Sequence, residues 1–150
     1  MKKADFKKLH FFSYDELDYK GNFIFHNQEI LRMTKFELMI KLDMIRREIE
    51  YPIILHCTYE PTGHTKHSFH YVGMAADFHF ITDEKFTTQI EDILNIIRIN
   101  RWFVGLGIYP DWKHRGLHLD VRGRTARWGR IGDEYVSIDK ALEYCYKNKL

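Results

Sequence analysis

Ten residues, Ser68-Phe69-His70-Tyr71-Val72-Gly73-Met74-Ala75-Ala76-Asp77, and their answer about forty residues on, Leu117-His118-Leu119-Asp120, constrain this chain more than any other stretch. Side chains alternate across a strand, so Asp77 and His79 share one strand face, and His118 and Asp120 share another. Gly73, Ala75 and Ala76 are small and let the backbone around the acid run close to its neighbours. A fold that brings these segments together gathers two imidazoles and one carboxylate. Hydrolytic zinc sites use such a set: three protein ligands, with a fourth position kept for water. The expectation is one Zn2+ bound by His70, Asp77 and His118.

The rest of the chain suits a single domain over residues 1–150. Its 45% apolar content is ordinary, and its length supports one sizeable core. A net charge of +2 is too mild to argue for nucleic acid, and is compatible with an anionic polymer such as a cell wall. No apolar run approaches a membrane span. The basic start, Met1-Lys2-Lys3, leads into no apolar stretch, so no signal peptide is expected and accumulation in the cytoplasm is. Cys57 and Cys145 are far apart and form no C-x-x-C, which suits reduced core cysteines. Nine histidines are many for this length, and five of them (His56, His64, His67, His70 and His79) fall close together.

In chain order, residues 1–33 form an aromatic and polar arm expected to pack on the domain. Ser13 and Glu16 have capping-box spacing for a short helix, and Gly21-Asn22 signals a turn. Thr34 and Glu37 repeat the box ahead of Leu38, Leu42, Ile45 and Ile49, a helical stripe closed by Pro52. Ile53 to Thr58 reads as a buried strand and Tyr59 to Phe69 as a loop; the strand carrying Asp77 runs to about Ile81. Thr82-Asp83 caps a second helix with Phe86, Ile90, Ile93 and Ile97 on one side. Arg101 to Tyr109 reads as a strand whose Gly105 and Gly107 mark a bulge or a close backbone approach. Gly116 to Arg122 is the His118 strand, and Gly123 to Gly129 a basic loop. Ser137 caps a last helix with Ile138, Ala141, Leu142 and Cys145 on one face. Strands and helices mix without strict alternation. The class is therefore α+β, a mainly antiparallel sheet flanked by helices.

Ser68-x-His70-x-x-Gly73-x-Ala75-x-Asp77 resembles the signature of the zinc D-Ala-D-Ala carboxypeptidases and the related phage L-Ala-D-Glu endopeptidases. Gly105-x-Gly107-Ile108-Tyr109, then Leu117-His118-Leu119-Asp120-Val121-Arg122-Gly123 and Ala126-Arg127-Trp128, is similar to the second half of that pattern. The likeness covers roughly residues 13–130. It implies the α+β fold of DD-peptidases and Hedgehog-type domains, zinc ligands at His70, Asp77 and His118, and peptidoglycan stem peptides as the substrate. With no separate wall-binding repeat, a phage-type endolysin released by lysis, or a cytosolic murein-peptide hydrolase, monomeric in either case, fits this expectation.

Two positions depart from the family pattern. Many relatives carry a Glu three residues before the last ligand; here Arg115 stands there. The proton carriers that remain are His114, on the loop into the site, and Asp120, which either acts itself or orients His118 and pairs with Arg122. Glu60 follows Tyr59 where the family commonly has an arginine for a substrate carboxylate, shifting weight toward an endopeptidase. Tyr59, Glu60 and Ser68 are the expected substrate contacts. Two other function classes remain: a wall-peptide-binding or phage structural module of the same fold, and a zinc hydrolase of a non-wall amide.

Overall fold

Six strands, β1 (Ile53–Cys57), β2 (Ala75–Phe80), β3 (Gly105–Tyr109), β4 (Gly116–Asp120), β5 (Ala126–Ile131) and β6 (Glu134–Val136), make one sheet in the order β1-β2-β4-β3-β5-β6. The computed structural model describes residues 1–150. All neighbouring strands are antiparallel except β3 and β5, which run parallel. With four helices, α1 (Gln28–Met33), α2 (Phe36–Ile49), α3 (Phe86–Ile99) and α4 (Ile138–Lys147), the protein is a single α+β domain.

Alternation divides the sheet into two faces. Leu55, Ala76, Phe78, Leu106, Ile108, Leu117 and Leu119 join the buried core with Leu38, Leu42 and Ile45 of α2, Ile90 and Ile93 of α3, and Ala141 and Cys145 of α4. Each such aliphatic side chain contributes about 1.5–3 kcal/mol by leaving water. The residues between them, Asp77, His79, His118 and Asp120, carry the chemistry-bearing side chains on the other face.

The N-terminal arm is part of this core. Phe6, Phe12, Ile24, Phe25 and Leu31 lie in the same cluster. The buried Asp43 carboxylate accepts from the backbone N–H groups of His10 and Phe11, which ties the arm to α2. The helix expected at Ser13 does not form. Glu16 accepts from the Ser13 N–H and Ser13 Oγ from the Asp15 N–H, but the chain then bridges Leu17 to Phe23 through the turn at Gly21. The capping residues close a turn because no apolar run follows to sustain a helix.

Two caps also moved. Thr34 ends α1 instead of starting α2: its hydroxyl donates to the Ile30 carbonyl and meets Thr58 Oγ1. Thr82 accepts from the Glu84 N–H in a turn, and α3 begins only after Lys85. Ser137 caps α4 as expected, accepting from the Lys140 N–H.

The Gly123–Gly129 segment, expected as a loop, supplies the start of β5. Arg127 donates to the Val104 carbonyl, which helps lay the strand beside β3. Gly105 and Gly107 are sites of close approach, and the β3–β4 register is unbroken there. A Cβ on Gly107 would stand 2.7 Å from the Trp128 ring, and one on Gly105 would stand 2.3 Å from Asp120 Oδ2. The register shift lies instead in β1, between Leu55 and Cys57.

Candidate metal centre

His70 reaches the sheet from a short 3-10 turn, Phe69–Val72. Ser68 Oγ accepts from the His70 N–H and opens the turn; Gly73, at φ +67°, closes it. A Cβ at Gly73 would fall 2.1 Å from the Met33 carbonyl oxygen, so glycine alone fits there. Asp77 and His118 come from β2 and β4, where they are direct register partners.

Three atoms converge. His118 Nδ1 lies 2.8 Å from Asp77 Oδ1, His70 Nε2 lies 3.3 Å from the same oxygen, and the two nitrogens stand 3.2 Å apart. Ligands about 2.0–2.1 Å from a tetrahedral ion are roughly 3.3–3.4 Å apart, so this triangle has nearly the size such an ion requires.

The outer bonds set the tautomers. His70 Nδ1 meets the Thr58 carbonyl at 2.6 Å. A carbonyl only accepts, so Nδ1 carries the proton and Nε2 presents its lone pair to the centre. His118 Nε2 donates to Asp120 Oδ2 at 3.0 Å, which leaves Nδ1 to face Asp77. Asp120 is fully buried and is gripped by Arg122 through two bonds of 2.6 Å. Burial opposes its charge, but the bonds from Arg122 and His118 hold its carboxyl down at about 2.

The electrostatics of the three groups favour a shared positive charge. Burial disfavours the His118 imidazolium, yet Asp120 and Asp77 raise its pKa to about 9. Burial likewise opposes the Asp77 charge, and bonds from His118 and His70 keep that carboxyl far below the usual range. A divalent cation would supply that charge to all three groups together. His70, Asp77 and His118 can therefore hold a metal ion. Cys57, His64 and His70 form a second, overlapping group of donors.

The centre opens into a cleft of about 970 Å³. Trp128 walls one side, its ring 5.2 Å from that of His118 and its Nε1 donating to the Tyr109 hydroxyl. Lys66, Arg122, Arg124 and Arg130 line the cleft, and Asp77 is the one carboxylate among its lining residues.

The other expected site residues separate. Ser68 lines the cleft. Tyr59 is buried outside the lining, its hydroxyl donating to Glu29. Glu60 pairs with His64 at 2.6 Å. Asp120 lies beneath His118, out of the cleft. His114 is outside the lining too, its ring stacked on His79. Arg127 donates to backbone carbonyls, a structural role.

Sequence reasoning missed four features. His64, within the stretch read as a loop, stacks on His70 with centroids 4.1 Å apart. Cys57, read as core, is half-buried and faces the site: Sγ is 3.7 Å from both His70 Nδ1 and Asp77 Oδ2. Strict alternation would send Cys57 to the core with Leu55, but the bulge redirects it. His56, in the strand read as buried, meets His79 at 2.7 Å. His26 pairs with Asp15. No pattern in the sequence marked the bulge, so Cys57 and His64 had no signal that could have found them.

No family model, curated protein or solved structure matches the chain. No helix is long and apolar enough to cross a membrane.

Proposed function

We propose that this protein is a zinc-dependent peptidase that hydrolyses a peptide bond in peptidoglycan stem peptides or cross-links. The observation that carries this reading is the His70–Asp77–His118 triangle at the floor of an open, cation-lined cleft. Two imidazoles and one carboxylate are donors that zinc accepts readily, and three protein ligands leave a position for water or substrate. A bound zinc ion would supply Lewis acidity at the scissile carbonyl and lower the pKa of a water to about 7.

The chain's own residues do the positioning. Thr58 and Asp120 hold the two histidines in their required tautomers. Arg122 keeps Asp120 ionised and is itself held between the Phe69 and Trp128 rings. Lys66, Arg124 and Arg130 favour an anionic peptide in the cleft. Wall stem peptides carry free carboxylates that suit such a lining.

A binding module for the same peptides is the second reading. It is favoured by the absence of any carboxylate but Asp77 from the cleft lining, and by the placement of His114 outside it. A panel of defined stem peptides and cross-linked dimers, incubated with zinc-loaded protein and with Asp77→Asn, separates the two. The peptidase reading expects cleavage by the first protein and none by the second. Saturable binding with no cleavage of any member supports the module.

A further inference from the structure

A second group of histidines stands beside the centre and takes no part in it. His79 follows Asp77 by two on the same face of β2, and the β1 strand next to it presents His56. His56 Nε2 and His79 Nδ1 point at each other across 2.7 Å. The His114 ring, from the turn before β4, lies on His79 with centroids 5.0 Å apart and planes within 17°. Tyr19 and Trp112 close the sides against His56, at 4.8 and 5.6 Å between centroids. His56 and His79 are half-buried and His114 is exposed, so solvent reaches the group.

We infer that His56 and His79 form a second transition-metal site, with His114 as the ligand that closes over it. Two nitrogens about 2.1 Å from one ion at a right-angled bite stand roughly 3 Å apart, close to the spacing these rings already have. An ion would take the place of the hydrogen bond that now joins the two nitrogens, with each ring turning to face it. His114 sits on an exposed turn with its ring already stacked on His79, which makes it the imidazole placed to join the pair. Every donor in the group is an imidazole. That selects zinc, copper or nickel and excludes calcium and magnesium, which require oxygen ligands. The inference does not depend on the peptidase reading, because none of these three side chains belongs to the His70–Asp77–His118 triangle.

The test is a zinc titration of the full chain by calorimetry, followed in parallel by the ring 15N resonances of the histidines. Two binding events are expected. The first moves His70 and His118; the second moves His56 Nε2 and His79 Nδ1. His56→Gln and His79→Gln should lose the second event and keep the first, which also shows that these variants fold. His114→Gln should weaken the second event without removing the first. A wild-type protein that binds one equivalent only, or a second event that leaves the His56 and His79 resonances unmoved, overturns the site. So does a second event that survives in His56→Gln.

Discussion

His70 and His118 aim unlike nitrogens at one point: Nε2 of the first and Nδ1 of the second stand 3.2 Å apart, with Asp77 Oδ1 closing the triangle. The difference follows from what lies behind each ring. A backbone carbonyl takes the Nδ1 proton of His70, and a buried carboxylate takes the Nε2 proton of His118. Removing either imidazole should therefore abolish binding at this centre. His70→Ala and His118→Ala are expected to lose the first zinc equivalent in a metal analysis of dialysed protein, while Cys145→Ser keeps it.

Asp120 acts on the metal through His118, as a positioning residue. Asp120→Asn keeps the shape but removes the charge that fixes the His118 tautomer. A fall in zinc affinity of about 10–100-fold is expected, measured by competition with a chelator. Asp120→Ala goes further, leaving the Arg122 guanidinium without its partner at a largely buried position. Unfolding in urea should show a loss of about 3–5 kcal/mol.

The outer histidines make stability sensitive to mild acid. Burial and the nearby His56 and His114 hold the His79 pKa down at about 4, and burial lowers that of His56. The unfolded chain, with histidines near 6.5, takes up these protons first. Stability is then fully present above about pH 6.5 and declines as pH falls toward 4. Urea midpoints at pH 7.5 and 4.5 should differ less in His79→Gln than in the wild type.

Close backbone approach gives a packing prediction. Gly107→Ala would put a methyl 2.7 Å from the Trp128 ring, which itself packs on His118. Overpacking of this kind typically costs about 1–3 kcal/mol, and here it should also displace the wall of the cleft. Thermal unfolding and the Trp fluorescence spectrum should both shift. Gly132→Ala is the contrasting control: a Cβ there meets nothing within 4 Å, and its φ of +55° adds backbone strain alone.

Much of this was legible in the sequence, because period-two alternation decides which strand residues share a face. Asp77, His79, His118 and Asp120 follow from it directly, and the stripes of α2 and α3 follow from the 3.6-residue helical period. The glycines of β3 read as a bulge or a close approach because they lack a side chain, and the close approach is what formed. What escaped was set by contacts between distant segments. The β1 bulge that turns Cys57 toward Asp77 depends on pairing with β2. β5 is stabilised by Val104 and β3 rather than by any strand pattern of its own. Ser13 and Thr34 have capping chemistry, but tertiary packing spends it on a turn and a helix end. His114, expected on the loop into the site, lies outside the cleft, while His64 stacks on His70, because loop paths, unlike strand faces, have no period to read.

The most direct measurement is mass spectrometry of purified peptidoglycan digested with this protein, stripped with EDTA and then restored with zinc. The account predicts new muropeptide masses that vanish on stripping and return with zinc, their mass differences identifying the bond. No new masses on several wall types, from protein shown to carry zinc at His70, Asp77 and His118, would contradict it.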